Sequence, residues 1–348
     1  MINTLAKNLI LKAKKNQYHH VHKKMARQVL SKIEEANGKT SSTTIKLADD
    51  YAREILGWQG YAPWLYVYSA LAGKFKEGWI PDNYYGAVVI PTLKGDYGKI
   101  ADFKSLSNKL FNNNFFPDIA YFVNGLWLSK TYENINESSI KKFLFYDSDL
   151  VVFKTDNSAK GQGVYIIREK EFSTDKISSL GNGVFQSYIE QHDFFKEYMS
   201  SSVGTIRITS VLNSNGNFSV RAAFMRFGRT KDTHIQSSSY IRTPINIETG
   251  EFGDCGYLPT WETIEKHPDS NLPFTNVRIP DFKKCVATAI DLHKMVPFAR
   301  VIGWDMVLDK DNNVKVMEWN GVHNDIKFTE ATQGPSFADL GWENLWHK

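Results

Sequence analysis

The stretch that most constrains this chain is Phe153 to Val164, FKTDNSAKGQGV, which follows an apolar run, Leu144 to Phe153, and leads into a β-branched run, Val164 to Ile167. The order reads as strand, glycine-rich loop, strand. Gly161 and Gly163 let backbone amides approach an anion closely, while Lys160 in the loop and Lys154 on the incoming strand supply charge at the same place. The spacing is not that of a P-loop, because GxxxxGK[ST] is absent and the run after the glycines is too short and too β-branched to be the required helix. Taken alone, the loop suits a polar hairpin turn with two solvated lysines as well as it suits a phosphate cradle.

A second hairpin narrows the choice. Arg300 to Asp309 and Val314 to Asn320 flank a polar loop, Lys310 to Asn313. If Asp309 pairs with Val314, Asp305 stands opposite Glu318, on the face shared by Val307 and Val316, with Asn320 two residues further along it. The other face opposes Trp304 to Trp319, a pair that fixes the register. Facing carboxylates repel, and a cation between them relieves the repulsion; oxygen ligands from Asp305, Glu318 and Asn320 suit magnesium. The competing reading is a strand edge with both acids solvated, but with the lysine loop upstream the two features together point to Mg-ATP.

Composition bounds the rest. At 348 residues, 42% hydrophobic and 23% charged, the chain is long enough for two or three subdomains with ample core, and a net charge of +4 falls short of a nucleic-acid signature. No apolar run approaches the roughly 18 residues of a membrane span, and no signal-peptide pattern opens the chain, which predicts a cytoplasmic protein. Cys255 and Cys285 lie outside any CxxC pattern and read as packing residues.

Residues 1 to about 36 read as one or two basic amphipathic helices ended by Asn37 and Gly38, for which packing, membrane contact and partner docking all remain open roles. Their His19, His20 and His22 read as a solvated face, not a metal site. Ile45 to Phe75 is helical with a break near Gly60 and Pro63. Trp79 to Leu93 reads as extended and proline-punctuated, and IAYFVNGLWL as a strand. Val184 to Ile189 is a strand whose exit could act as a hinge meeting an adenine edge. Thr205 to Leu212 and Phe218 to Phe227 form a hairpin about NSNGN; Arg207 and Arg221 share a face, and Arg226 joins them only if a bulge intervenes. Residues 228 to 276 read as a long substrate-facing loop, and Phe282 to Val296 as a helix.

The order of these parts resembles the ATP-grasp superfamily. More narrowly, KTDNSAKGQGV, FQSYIEQH followed by GTIRIT, RFG, INIETG, and GWDMVLD with VKVMEWN resemble the sugar-transfer-associated ATP-grasp proteins of bacterial polysaccharide biosynthesis, over residues 80 to 325. The resemblance implies an α/β (α+β) ATP-grasp fold with a helical N-terminal region (1–79), a pre-grasp region (80–143), a small lid subdomain (144–192) and a C-terminal subdomain carrying the metal site (193–348). It implies that Lys154, Lys160, Gly161 and Gly163 hold the ATP triphosphate, that Gln186, Tyr188 and Ile189 line the adenine, and that Glu190 or His192 reaches the ribose. Arg207, Arg226 and Lys160 would act on the transferring phosphate, with Mg2+ on Asp305, Glu318 and Asn320. The implied reaction joins a carboxylate, on a small molecule or a sugar, to an amine through an acyl-phosphate in capsule or O-antigen synthesis; a kinase and a catalytically silent module are the alternatives. Replacing Asp305 or Glu318 by alanine is expected to abolish turnover and leave the protein folded. Two departures stand out: SLSNKLF replaces the expected lysine segment and leaves Lys109 an unsettled equivalent, and THIQSSSYIRTP lacks the family's acceptor pattern.

Overall fold

A computed structural model describes residues 2–158, 162–199, 203–229 and 239–347, and side chains from residue 9 onward. Helix α1 (Ile2–Asn37) is one continuous helix, ended by Gly38 at φ 86°. Helix α2 (Ser42–Glu54) starts at Ser41, whose side chain accepts a hydrogen bond from the Thr44 amide. Helix α3 (Ala62–Ala72) carries Pro63 in its first turn, where a missing N–H costs nothing, so this proline starts a helix. Its APWLYVYSALA sequence is apolar nearly all round because it is covered by α1, α2 and a C-terminal helix, Lys327–Thr332.

Three expectations for the N-terminal half are corrected. Trp79 to Leu93 is helical, not extended: Asp82–Tyr84, a π turn over Tyr85–Val89, then Ile90–Lys94. Pro91 cannot donate, and its ring would crowd the carbonyl four residues back; the wider upstream turn, with the Ile90 amide bonded to the Tyr85 carbonyl, makes room for it. IAYFVNGLWL is a hairpin, β1 (Asp118–Val123) and β2 (Leu126–Ser129), turned by Asn124 and Gly125 at φ 51° and 82°. His19 and His22 are packed, and only His20 is exposed.

The five-stranded antiparallel sheet runs β2-β1-β5-β3-β4, adding β3 (Leu150–Thr155), β4 (Val164–Arg168) and β5 (Gly183–Ser187). Strand β3 begins at Leu150; Leu144 instead ends a helix, Glu137–Leu144, that buries Ile140 and Leu144 against this sheet.

The seven-stranded sheet runs β10-β9-β8-β7-β6-β11-β12. Its centre is β6 (Thr205–Leu212), β7 (Phe218–Phe227) and β11 (Val301–Leu308), flanked by β12 (Val314–Asn320) on one side and β8 (Ile241–Ile245), β9 (Gly256–Tyr257) and β10 (Thr263–Ile264) on the other. The stretch expected as one long loop thus widens the sheet. Ile206, Ile208, Ala223, Met225, Trp304 and Met306 bury one face with the helix Phe282–Met295, leaving the alternate residues to face the other way.

Candidate active site

The open face of the large sheet is where charge collects. Strand β7 carries a bulge at Arg221, since Thr209 pairs with Ala222 and Ser210 with Val220. Beyond it Thr205 opposes Arg226, which therefore lies on the same face as Arg207, two residues along β6. Arg221 is left to bond Asp339 instead. Asp305 opposes Arg207 across the β6–β11 ladder, and Arg207 grips it with both sides of its fork, Nε to Oδ1 at 2.5 Å and Nη2 to Oδ2 at 2.9 Å. Arg226 Nη1 adds longer bonds to both oxygens, at 3.2 and 3.3 Å. Burial alone would raise the Asp305 carboxyl, but Arg207 and Arg226 outweigh it and hold it at about 2.

Asp305 does stand opposite Glu318, and Trp304 opposite Trp319. The register toward the loop differs from the expectation: Leu308, not Asp309, pairs with Val314, and a bulge at Met317 absorbs the offset. Val316 consequently turns to the core with Trp319 and does not share the face of Glu318. The bulge also presents the Met317 carbonyl to Lys154, whose Nζ donates to it at 3.0 Å. Lys154 is buried, and burial, only partly offset by Glu318, lowers its pKa.

Asn320 Nδ2 donates to Gly303 O at 3.2 Å and to Asp305 Oδ2 at 3.4 Å, so its amide oxygen is the end free to act as a ligand. Among the described residues no three His, Cys, Asp or Glu side chains are placed to hold a metal ion. The donor set therefore rests on two carboxylates and an amide, all hard oxygens of the kind magnesium takes when waters and phosphates fill its other positions. Arginine meets Asp305 on both oxygens, whereas among the described residues Glu318 has one ion pair, to Lys104 at 3.7 Å.

Lys104 is the site residue that sequence reasoning missed. It is buried, donates to the Ser158 carbonyl at 2.8 Å, and so ties the lysine loop to the carboxylates. Lys109, the candidate raised instead, lies over the Tyr132 ring. Lys104 sits in the single turn Lys104–Leu106, and nothing local marks a lysine there. Ser105 donates to Asp156 through both its amide and its hydroxyl, holding the start of the loop. Gly163 closes that loop at φ 73°, with its carbonyl accepting from the Thr155 amide; a Cβ there would fall 2.2 Å from Thr155 Oγ1. Lys160 and Gly161 lie outside the described residues.

Lys154, Gln186, Tyr188, Ile189, Arg207, Arg226, Asp305, Glu318 and Asn320 all line one cavity of about 1280 Å³. Gln186 is itself held by Asp118, a buried carboxyl that burial pushes up. Glu190 and His192 are not brought to this cavity. Glu190 forms an exposed ion pair with Lys310 at 2.9 Å, and His192 caps the short helix Asp193–Tyr198 by accepting from the Phe194 amide. The far end of the cavity is lined by Trp64, Asp82, Arg242, Trp261, His323 and Lys327. Residues before the large sheet, among them His22, Trp64 and Asp82, thus contribute to its wall.

A cavity lined by both antiparallel sheets, with lysines at one side and a carboxylate–arginine cluster at the other, is the arrangement expected of a nucleotide-clamping α+β protein. The model of the sugar-transfer associated ATP-grasp family matches residues 92–340, and the chain belongs to that family. No match was found among curated protein sequences. Among solved structures it is similar to the biotin carboxylase domain of 2-oxoglutarate carboxylase from Hydrogenobacter thermophilus, solved with MgADP and bicarbonate, at 12% identity and TM-score 0.43, over 70% of this chain and 45% of that one. Similar too are N5-carboxyaminoimidazole ribonucleotide synthetase from Thermotoga maritima, at 13% identity and TM-score 0.41 over 73% and 50% of the two chains, and L-amino acid ligase from Bacillus licheniformis, at 12% and 0.43 over 76% and 52%. The matched part is thus about half the length of each of those proteins.

Proposed function

We propose that this chain is an ATP- and magnesium-dependent carboxylate–amine ligase that forms an amide through an acyl-phosphate, on a sugar acid or an amino acid in surface-polysaccharide synthesis. The observation that carries the reading is the convergence of Lys104, Lys154, Arg207, Arg226, Asp305, Glu318 and Asn320 on one cavity. Magnesium, held by Asp305, Glu318 and Asn320, would supply charge neutralisation of the phosphates. The adenine lies against Tyr188 and Ile189, as family membership suggests. Among the described residues the Lys154 ammonium has one hydrogen-bond partner, the Met317 carbonyl, so a phosphate oxygen alongside would restore the proton affinity that burial removes. Lys104 and, from the loop, Lys160 would share that anion.

Arg226 holds Asp305 by the longer bonds and is the arginine that can turn to the transferring phosphoryl group, while Arg207 keeps Asp305 in place. The substrate carboxylate attacks the γ-phosphorus, ADP leaves, and the amine then displaces phosphate from the acyl-phosphate. Such a reaction needs positioned charge and exclusion of water, with no protein nucleophile.

The test is magnesium-dependent ATP turnover with a panel of sugar acids and amino acids plus hydroxylamine, scoring ADP, phosphate and hydroxamate. Carboxylate-dependent ADP with hydroxamate supports the ligase. ADP with a stable phosphate ester and no hydroxamate replaces it by a kinase; ATP binding without turnover on any acceptor favours the silent module.

A further inference from the structure

Three arginines form a row across the floor of the cavity, on three neighbouring strands: Arg207 on β6, Arg226 on β7 and Arg242 on β8. Arg226 and Arg242 are directly opposed in the register, a placement that repels unless anions lie beside them. Asp305 meets the first two with hydrogen bonds. Arg242 is different. It is 3% exposed, its Nε is buried without a partner, and among the described residues none accepts a hydrogen bond from its guanidinium.

Rings occupy the faces of that guanidinium instead, with centroids at 4.3 Å for Phe328, 4.9 Å for Trp261 and 5.7 Å for Tyr240. Stacking fixes the plane of the fork and leaves its N–H edge for something else. Asp325 acts on Arg242 by charge, but its Oδ1 takes the Lys327 ammonium. A cation desolvated to this degree with no acceptor among the described residues is costly in a folded protein, and an anion brought by a ligand removes the cost.

Beyond those rings, the same cavity is lined by residues that precede the family match, Trp64 lying 6.4 Å from Trp261 between ring centroids. Trp64 comes from α3; Val21 and Met25 come from α1 and are apolar yet about two-fifths exposed on the cavity side. Trp64 is fixed by its Nε1, which donates to His22 Nδ1 at 3.1 Å. Helices α1 and α3 thus enclose the site next to Arg242 with apolar and aromatic surface.

We infer that Arg242 anchors the carboxylate of the substrate that is to be activated, in a subsite completed by α1 and α3. The planar fork takes a carboxylate through two parallel hydrogen bonds, and Arg242 stands one strand from Arg226, beside the phosphoryl group to be transferred. This deepens the proposed function and rests on it only for the fate of the bound acid. A sugar acid and an amino acid offer the same carboxylate.

The full chain, saturated with Mg-ADP, is titrated with glucuronate, galacturonate, glutamate and alanine by isothermal calorimetry, with inorganic phosphate as a further probe. Wild type is expected to bind at least one of the acids, and R242Q to bind it roughly 10- to 100-fold more weakly, the loss expected for a charged hydrogen-bonding group. Its affinity for Mg-ADP stays the same, which also reports that the variant is folded. R242K, keeping the charge without the fork, falls between. Binding by the two uronates alone assigns a sugar acid, and binding by glutamate or alanine alone an amino acid. Equal acid binding by R242Q, a parallel loss of Mg-ADP affinity, or no binding of any of these acids by wild type, whether or not phosphate binds, overturns the assignment. Acid binding through Arg242 with no hydroxamate in turnover keeps the subsite and removes the ligase.

Discussion

Replacing Asp305 by alanine removes the counter-charge of two arginines at once. Arg207 is 4% exposed, and its Nε and Nη2 both end on Asp305, leaving among the described residues a 3.3 Å bond from Nη1 to the Asn324 carbonyl. Arg226 loses both of its bonds as well. Removing one partner of a buried ion pair costs about 3–5 kcal/mol, because the other charge stays desolvated. That is a large part of a total stability on the order of 5–15 kcal/mol. With a urea slope of about 3 kcal/mol/M, the unfolding midpoint should fall by about 1–1.7 M. We therefore predict that alanine leaves the protein soundly folded at Glu318 and clearly destabilised at Asp305. Urea unfolding followed by circular dichroism measures the shift, and D305A/R207M/R226M, which removes the stranded charges too, should recover most of it. A D305A midpoint equal to wild type would refute the reasoning, as would a triple variant no more stable than D305A.

Other predictions follow from the same site. E318Q should lose magnesium-dependent turnover with a stability change under about 1 kcal/mol, since its one ion pair among the described residues is long and partly exposed; turnover near wild type would remove Glu318 from the ligand set. K104M should raise the KM for Mg-ATP by roughly 10- to 100-fold, as expected on losing a charged partner of the phosphates, and an unchanged KM would leave Lys104 a purely structural tie. His293, buried under the large sheet, accepts from Ser210 at Nδ1 and donates from Nε2 to the Ala299 carbonyl, so a second proton has no place; burial pushes it down to about 4. The unfolded chain binds that proton below its ordinary 6.5 and the folded one does not, so this contribution is complete above pH 6.5 and is lost as the pH falls toward 4. It is worth at most about 3 kcal/mol; urea midpoints at pH 7.5 and 5 should differ less in H293Q than in wild type.

The parts of the site that sequence made legible are those governed by local alternation. Asp305 facing Glu318 and Trp304 facing Trp319 follow from strand periodicity and a short polar loop. Bulges are what the pattern hides: one at Met317 turns Val316 to the core, and one at Arg221 brings Arg226 beside Arg207, which the residue spacing left conditional. Trp79 to Leu93 reads as extended because its prolines interrupt helices and its aromatic and β-branched residues favour extended backbone, yet Pro81 flanks and Pro91 starts helical turns whose aromatics are covered from elsewhere in the chain. Lys104 and Arg242 were illegible because each owes its meaning to a neighbour far along the chain, Glu318 for one and Arg226 for the other.

The chain enters the small sheet through Phe116 and Pro117 and leaves it through Ser187 to Ile189, and these segments are joined by the bond from the Ser187 amide to the Pro117 carbonyl. Just outside them the backbone is fastened to the large sheet: Val316 N to Phe115 O, His192 N to Leu308 O, Lys310 N to Glu190 O. What lies between is a pivot a few residues wide, and at the far end the bonds from Ser105 to Asp156, Lys104 to Ser158, Lys154 to the Met317 carbonyl and Asn157 N to the Asp102 carbonyl are the ones a tilt must release. Strand β3 runs away from it for six residues, about 20 Å at strand rise, so a tilt of about 10° would carry the glycine loop by roughly 3–4 Å. In the proposed reading the adenine rests on Tyr188 and Ile189, at the fulcrum, and the phosphates lie under the far tip of the lever. The base can then be seated before closure and released after opening with little change in its own contacts, while nearly all the travel falls on the lysines that grip the triphosphate.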